Sequence, residues 1–422
     1  MRKTLALMLL TGTALTSAVA AAPKAQEPKA QEQWVTSWAT SQMIAVGDNI
    51  LPAADLTGAT LRQSVRLSTG GKAFRLVLSN AFGSAPLHLP AVHVAKSLPG
   101  GGIDPSSDHV LTFGGHGDVT IPAGAAYVSD PVAMPVGPLS DIAISIRYDA
   151  APAIETSHPG SRQTSYVLPG DHLSDAVVTG AKTVDHWYQI DRIEVLAPAK
   201  TKAVVALGDS ITDGRGSTTN GNDRWTNVMA AAFQAQNATR HLGVLNSGIG
   251  GNCVLTQCLG PAALARLERE VFSPPGVESV IVYEGVNDLG GLTREKPATP
   301  EEHAALVARL ISGFTQIAER AHAHGLKAYI ATILPYGTNA YYHPDAANEA
   351  DRAAVNGWIK SQKLFDGVID FDAVMRDPSH PANLNPAYDT GDGLHPNASG
   401  YQVMGTFAAK ALAAKTTKGK TK

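Results

Sequence analysis

Hydrophobic positions fall in two different rhythms along this chain, and the change comes near residue 200. In TLRQSVRLSTGGKAFRLVLSNAFG (60–83), Leu61, Val65 and Leu67, and then Phe74, Leu76 and Leu78, follow a period of two. A strand with one buried face has that period, because successive side chains point to opposite sides. Gly70-Gly71 between the two runs reads as a hairpin turn. LHLPAVHVA, HVLTFG, DVTIPAG, DIAISIRY and HWYQIDRIEVL follow as further short strands, punctuated by Gly, Pro, Asp and Ser, with no long helical pattern. Many short strands with such turns predict a β-sandwich-like domain over residues 33–198.

From about residue 202 the runs become continuously apolar: AVVALG (203–208), LGVLNS (242–247), SVIVYEG (279–285), KAYIATIL (327–334) and DGVIDF (366–371). Between them lie DRWTNVMAAAFQAQ, ALARLEREVF, PEEHAALVARLISGFTQIAERAHAHG and EADRAAVNGWIKSQ, which read as helices, and a last helix follows Pro396. Strands alternating with helices predict an α/β fold with a parallel sheet covered on both faces. Five such strands suit a flavodoxin-like three-layer sandwich over 199–414, with VLAPAKTK (195–202) as the boundary. No internal repeat interrupts this two-part organisation.

The termini change the picture of where the protein works. MRKTLALMLLTGTALTSAVAAAP has a basic start, an apolar run and small residues at Ala18, Ala20 and Ala22, the pattern of a cleaved signal over 1–22. The run is short and diluted for a membrane anchor, and no cysteine follows it to carry a lipid. A polar leader (23–32) and a frayed basic tail, KTTKGKTK (415–422), flank the fold. Secretion or a periplasmic location is therefore expected. The 422 residues are 44% hydrophobic and 17% charged with a formal net charge of −3, which points to no nucleic-acid partner and no strong membrane-surface attraction. The only cysteines, Cys253 and Cys258 in GNCVLTQCLG, are expected to form a small disulfide staple, and without nearby histidines they make a poor metal site.

The chemistry collects at strand ends. In open α/β sheets, ligands sit outside the carboxyl ends of the strands. The first strand leads into Gly208-Asp209-Ser210, the second into NSGIGGN (246–252), the third into EGVND with Gly285, Asn287 and Asp288, and the fifth, after a long loop, into DTGDGLHPNASGY. A serine after a strand also makes a good helix cap. Its hydroxyl becomes a nucleophile only with a base and a carboxylate to orient that base. His395 and Asp392, three residues apart, supply both. The N–H groups of Ser210 and Gly251 and the Asn287 amide can receive the oxyanion formed on attack at an ester. Asp209, Gly285 and Asp288 are assigned to shaping the loops. Tyr341 and Tyr342, in PYGTNAYYHPD after the fourth strand, are candidates for stacking on a sugar.

Together these blocks resemble the GDSL, or SGNH, hydrolase superfamily over about residues 202–412. GDSITDG supplies Ser210 as nucleophile, NSGIGGN places the oxyanion glycine at Gly251, GVND makes Asn287 the oxyanion asparagine, and DGLHP gives Asp392 and His395. GVNDLGG, AVNGWIKSQKLFDGVIDFD and YDTGDGLHPNASGY are closest to a secreted xylan-esterase and arylesterase subgroup. The resemblance implies a serine esterase needing no cofactor, acting on short acyl groups of an acylated carbohydrate or another small ester. A lipase or lysophospholipase, an acyltransferase and an inactive glycan-binding module are the competing readings.

Overall fold

Strand β1 (Glu32–Ala39) opens one residue inside the expected leader and divides its side chains between two cores. Trp38 joins the core of the sheet-rich region, whereas Val35 and Ala39 join a core beneath the parallel sheet. This computed structural model describes residues 31–418. The expected signal, most of the leader and the end of the basic tail lie outside the described residues.

Two larger antiparallel sheets and two smaller ones build the sheet-rich region, whose main strands are β2 (Ala59–Arg66), β3 (Phe74–Ser79), β4 (Ala91–Lys96), β5 (Asp141–Tyr148), β7 (Ser165–Pro169) and β8 (Ile190–Pro198), with the short β6 (Thr156–His158) in a three-stranded sheet of its own. One sheet runs β1–β8–β3 and ends on Ala126–Val128. The other holds β7, β2, β5 and β4 as its inner strands, with Ile144 opposite both Gln63 and Val94. Leu61, Val65, Phe74, Leu76, Ile144 and Ile193 meet in one buried cluster between the sheets. Full burial of an aliphatic or aromatic side chain contributes about 1.5–3 kcal/mol, and this cluster is where the period-two pattern is used.

The structure corrects the expected hairpin at Gly70-Gly71. β2 and β3 lie in different sheets and do not pair. The chain crosses the sandwich there under close backbone approach: a Cβ on Gly70 would stand 2.5 Å from the Val136 carbonyl oxygen, and one on Gly71 would stand 2.8 Å from that of Leu196. The glycines mark a crossing, and alternation alone does not reveal which strand is the partner.

Beyond residue 200 come β9 (Lys202–Gly208), the short helix α1 (Ser210–Asp213), α2 (Trp225–Gln234), β10 (Leu242–Gly248), β11 (Val277–Tyr283), α3 (Val286–Thr293), α4 (Pro300–Ala323), β12 (Lys327–Ala331), α5 (Ala346–Ser361), β13 (Gly367–Ile369) and α6 (Ala398–Lys418). The sheet is wholly parallel, in the order β10–β9–β11–β12–β13, the flavodoxin-like arrangement. Central β9 is buried on both faces: Val204 and Ala206 pack with Trp225, Met229 and Tyr401, while Val205 and Leu207 pack with Leu310, Phe314 and Val355. That explains its unbroken apolar run. α6 continues to Lys418, so residues 415–418 of the expected frayed tail are helical.

The two regions are joined by hydrogen bonds as well as by β1. Thr36 N–H donates to the Pro275 carbonyl at 2.9 Å, and Val244 N–H to Ser68 Oγ at 3.0 Å.

Candidate active site

Asp209, not Ser210, caps the helix after β9. Its Oδ1 accepts the Ile211 N–H at 2.9 Å, which leaves the Ser210 hydroxyl free for another partner. The approach to this turn requires glycine, since a Cβ on Gly208 would lie 2.1 Å from Thr212 Oγ1 and 2.8 Å from the Tyr283 carbonyl. Ser210 Oγ stands 2.9 Å from His395 Nε2.

The loop carrying His395 is folded around Asp392. One carboxylate oxygen accepts the backbone N–H groups of His395 at 2.8 Å and Leu394 at 3.0 Å. The other lies 2.6 Å from His395 Nδ1, which fixes the ring and turns Nε2 towards Ser210. Burial works against ionisation of Asp392, but the hydrogen bonds from His395 and Leu394 outweigh it and hold the carboxyl well below its usual range. Ser210 and His395 are 5% and 7% exposed, so the hydroxyl–imidazole contact is shielded from bulk water.

The neighbouring loops present donors. Neither the Ser210 nor the Gly251 N–H has a hydrogen-bond partner among the described residues. The Asn287 side chain is held at both ends: its amide donates to the Asn252 carbonyl at 2.6 Å, and its Oδ1 accepts the Tyr342 hydroxyl at 2.6 Å. An amide nitrogen carries two hydrogens, so one remains for a substrate. Gly285, at φ +113°, makes the turn into α3. Asp288 accepts Val254 N–H at 2.9 Å and Leu255 N–H at 3.1 Å, tying the loop after Gly251 to α3. Burial pushes its pKa up to about 6, against those two hydrogen bonds. Cys253 and Cys258 form a disulfide in the same loop, with Cα atoms 5.7 Å apart.

The tyrosine pair separates into two environments. Tyr341 is 58% exposed and lies against Arg294. Tyr342 is 6% exposed, sits edge-on to Tyr336 and Tyr341, and bonds Asn287. Its ring is therefore packed in protein, which corrects the expectation that both tyrosines offer a face to a sugar.

Three supporting residues gave no local sequence signal. Arg266 sits in ALARLEREVF, where a charge reads as a solvated helix face, yet it is 1% exposed. Its guanidinium donates to the Gly208 carbonyl at 2.9 Å, the Ser247 carbonyl at 2.6 Å, Asn252 Oδ1 at 3.2 Å and Ser41 Oγ at 2.9 Å. Glu270 pairs with it, and Glu284 Oε1 lies 3.3 Å from it. One cation thus ties together the ends of β9 and β10 and the Gly251 loop. Burial, reinforced by neighbouring Asp209, pushes Glu284 well above the usual carboxylate range. The other two are Asp213 and His158. Asp213 Oδ1 lies 2.9 Å from His158 Nε2, while its Oδ2 accepts Gly250 N–H at 3.1 Å. His158 Nδ1 lies 2.6 Å from the Ser41 carbonyl. A histidine of the sheet-rich region therefore braces the peptide next to Gly251.

Ser210, Gly251, Asn287, Asp392 and His395 line one open cleft of about 1320 Å³. A hydroxyl, an imidazole and a carboxylate in series, beside free amides, can carry out acyl transfer through a covalent intermediate. Among the described residues no group of three His, Cys, Asp or Glu is placed to hold a metal ion. No helix among them is long and apolar enough to cross a membrane.

Residues 206–403 match the family model described as the GDSL-like Lipase/Acylhydrolase family. No curated protein matches the chain in a sequence search. Among solved structures, a GDSL-like lipase from Bacteroides thetaiotaomicron is 20% identical, with 52% of this chain and 89% of that one covered and a TM-score of 0.36. An acetylxylan esterase from Geobacillus stearothermophilus is 19% identical, covering 51% and 94%, with a TM-score of 0.37. A carbohydrate acetylesterase from Sinorhizobium meliloti is 18% identical, covering 51% and 100%, with a TM-score of 0.36.

Proposed function

Residues 206–403 are a GDSL-like lipase/acylhydrolase domain, which makes this chain a hydrolase of carboxylic esters, and from that premise we propose a serine esterase working through an acyl-enzyme on Ser210. The observation that carries the proposal is the hydrogen-bonded series from Ser210 through His395 to Asp392, at 2.9 Å and 2.6 Å, beside two unpartnered backbone amides.

Ser210 Oγ attacks the acyl carbon while His395 Nε2 takes its proton. Asp392 keeps the Nδ1 hydrogen in place and stabilises the imidazolium that forms. The new oxyanion is received by the N–H groups of Ser210 and Gly251 and by the Asn287 amide; each such donor lowers the barrier by about 2.7–4 kcal/mol. Collapse expels the alcohol, which takes the proton from His395. Water, deprotonated by the same histidine, then attacks the acyl-enzyme and releases the acid and Ser210.

The substrates we propose are short-chain acyl esters of carbohydrate or aryl alcohols. The openness of the cleft and the exposed ring of Tyr341 on its wall support a polar alcohol portion. A second reading, hydrolysis of longer acyl chains, is favoured by a different part of the lining, where Val46, Leu255, Leu259, Leu292 and Leu306 offer apolar surface. Export completes the proposal, supported by the amino-terminal signal pattern and by the disulfide, which suits an oxidising compartment.

Hydrolysis of p-nitrophenyl esters from acetate to palmitate, wild type beside Ser210→Ala, tests both readings. The expected result is a loss of about 10³-fold or more in Ser210→Ala at unchanged thermal stability, with wild-type rates highest for the shortest chains. Rates rising with chain length would favour the second reading. A fully active Ser210→Ala would overturn the mechanism.

A further inference from the structure

The cleft around Ser210 carries more positive charge than the fold itself pairs. Arg162, Arg215, Arg294 and Arg309 all line it. Its carboxylates are engaged elsewhere: Asp213 with His158 and Gly250, Asp288 with the amides of Val254 and Leu255, and Asp392 with His395. Arg294 pairs with Glu295 and Tyr341, and Arg309 acts on the nearby charge of Asp288. The guanidinium groups of Arg162 and Arg215 have no hydrogen bond and no ion pair among the described residues.

An unpaired arginine in open solvent is ordinary, and Arg215 is exposed. Arg162 is not ordinary. It is only partly exposed, and its Nε is buried without a partner. Leaving a buried charged donor unsatisfied is unfavourable unless something else completes it. Its backbone also stands at φ +48°, a left-handed conformation that is uncommon for a residue with a long side chain. Strain of that kind persists where the surroundings enforce it, and here they do. The Arg162 carbonyl accepts Asn220 N–H at 2.9 Å, and the Ser161 carbonyl accepts the Arg224 guanidinium. Gly160 is pressed so close to Asp213 that a Cβ would lie 1.8 Å from its carboxylate.

The backbone at both arginines is thereby tied to elements next to the nucleophile. The Arg162 loop abuts Asp213, the last residue of α1, and Arg215 N–H donates to the Ser210 carbonyl at 2.9 Å. We infer that Arg162 and Arg215 form an anion subsite beside Ser210, and that the preferred ester carries a carboxylate, as on an acylated sugar acid. A guanidinium fork matches a carboxylate edge, so the bound group would complete the donors that the protein leaves open. This rests on the esterase reading and deepens it by naming the charge of the substrate.

Acetylated galacturonic acid and its acetylated methyl ester differ by one charge at the sugar carboxyl and carry the same scissile acetyl group. Wild type is expected to show a kcat/KM about tenfold to a hundredfold higher for the acid, mainly through KM, and to lose the preference in high salt. Arg162→Asn keeps a residue that tolerates the left-handed backbone, and Arg215→Gln changes an exposed side chain. Each is expected to reduce the acid-to-ester ratio, and together they should bring it to about one. Equal wild-type kcat/KM for both compounds, or an undiminished ratio in the double variant, would overturn the subsite. Calorimetric binding of galacturonate and methyl galacturonate to Ser210→Ala supplies a readout independent of turnover. Stronger binding of the acid that disappears in the Arg162→Asn background supports the subsite. Equal binding of the two overturns it even if no ester proves to be a substrate. Absence of Ser210-dependent hydrolysis of any ester, by contrast, is the failure of the esterase reading itself.

Discussion

Central strands of the two regions treat their second face differently. β9 is apolar on both sides, with Val205 and Leu207 against one helical layer and Val204 and Ala206 against the other. β2 gives one face to the sandwich core, but on its other face Arg62, fully buried, donates to the carbonyls of Gly101, His172, Leu173 and Asp175. A sheet covered by helices sends its loops out at one end, where they can carry reagents. A sheet covered by loops spends polar side chains on satisfying those loops. The site follows this division. Ser210, Gly251, Asn287, Asp392 and His395 all come from the α/β region, while His158, Ser41 and Arg162 reach the same neighbourhood from the sheet-rich region. The sheet-rich region is part of the site's framework.

Breaking the shared framework should have the largest effect on stability. Arg266→Met leaves Glu270 with Arg269 as its one ion-pair partner among the described residues and Glu284 with none, and loss of one partner from a buried ion pair costs about 3–5 kcal/mol. Urea unfolding should show that loss; a change below 1 kcal/mol in the fitted stability would mean that Arg266 is not the tie between the regions.

A subtler test removes the brace from the sheet-rich side alone. His158→Ala should lower kcat about tenfold with KM little changed, because the Asp213 carboxylate loses its partner and Gly250 is no longer held in place. His158→Gln, which can still donate to Asp213, should restore part of kcat. Equal defects in the two variants would point to packing alone, through the stack of His158 on Trp187.

The smallest effect concerns pH. Burial raises Asp209 to about 7, opposed by the Ile211 hydrogen bond, whereas the unfolded chain titrates near 4. The folded state therefore holds the proton more tightly, and this group's contribution to stability is lost as pH rises from about 4 through about 7. Asp209→Asn keeps the acceptor for Ile211 and removes the titration. Its melting temperature, relative to wild type, should be higher at pH 8 than at pH 6, by the equivalent of about 1–2 kcal/mol. An unchanged difference between the two pH values would contradict that assignment.

Much of this architecture is legible in local pattern. Apolar runs at period two and runs buried on both sides distinguish the two regions, and the blocks around Ser210, Asn287 and His395 each follow a strand end. What escapes local reading is partnership at long range. Gly70-Gly71 looks the same whether the chain reverses within one sheet or crosses to another, since period two fixes a face and not a neighbour. The helical spacing around Arg266 does not show that two glutamates and two strand ends await its charge. Tyr342 reads as an aromatic on a loop until its hydroxyl is seen on Asn287. Burial of polar groups depends on the whole fold, and these were the residues that sequence alone misplaced or missed.

Covalent labelling tests whether Ser210 is the nucleophile without any assumption about the natural ester. Folded wild-type protein treated with a serine-directed fluorophosphonate should incorporate one equivalent, mapped by peptide mass spectrometry to Ser210, and Ser210→Ala should incorporate none. Absence of labelling in folded wild type, or a label on another residue, would contradict the account.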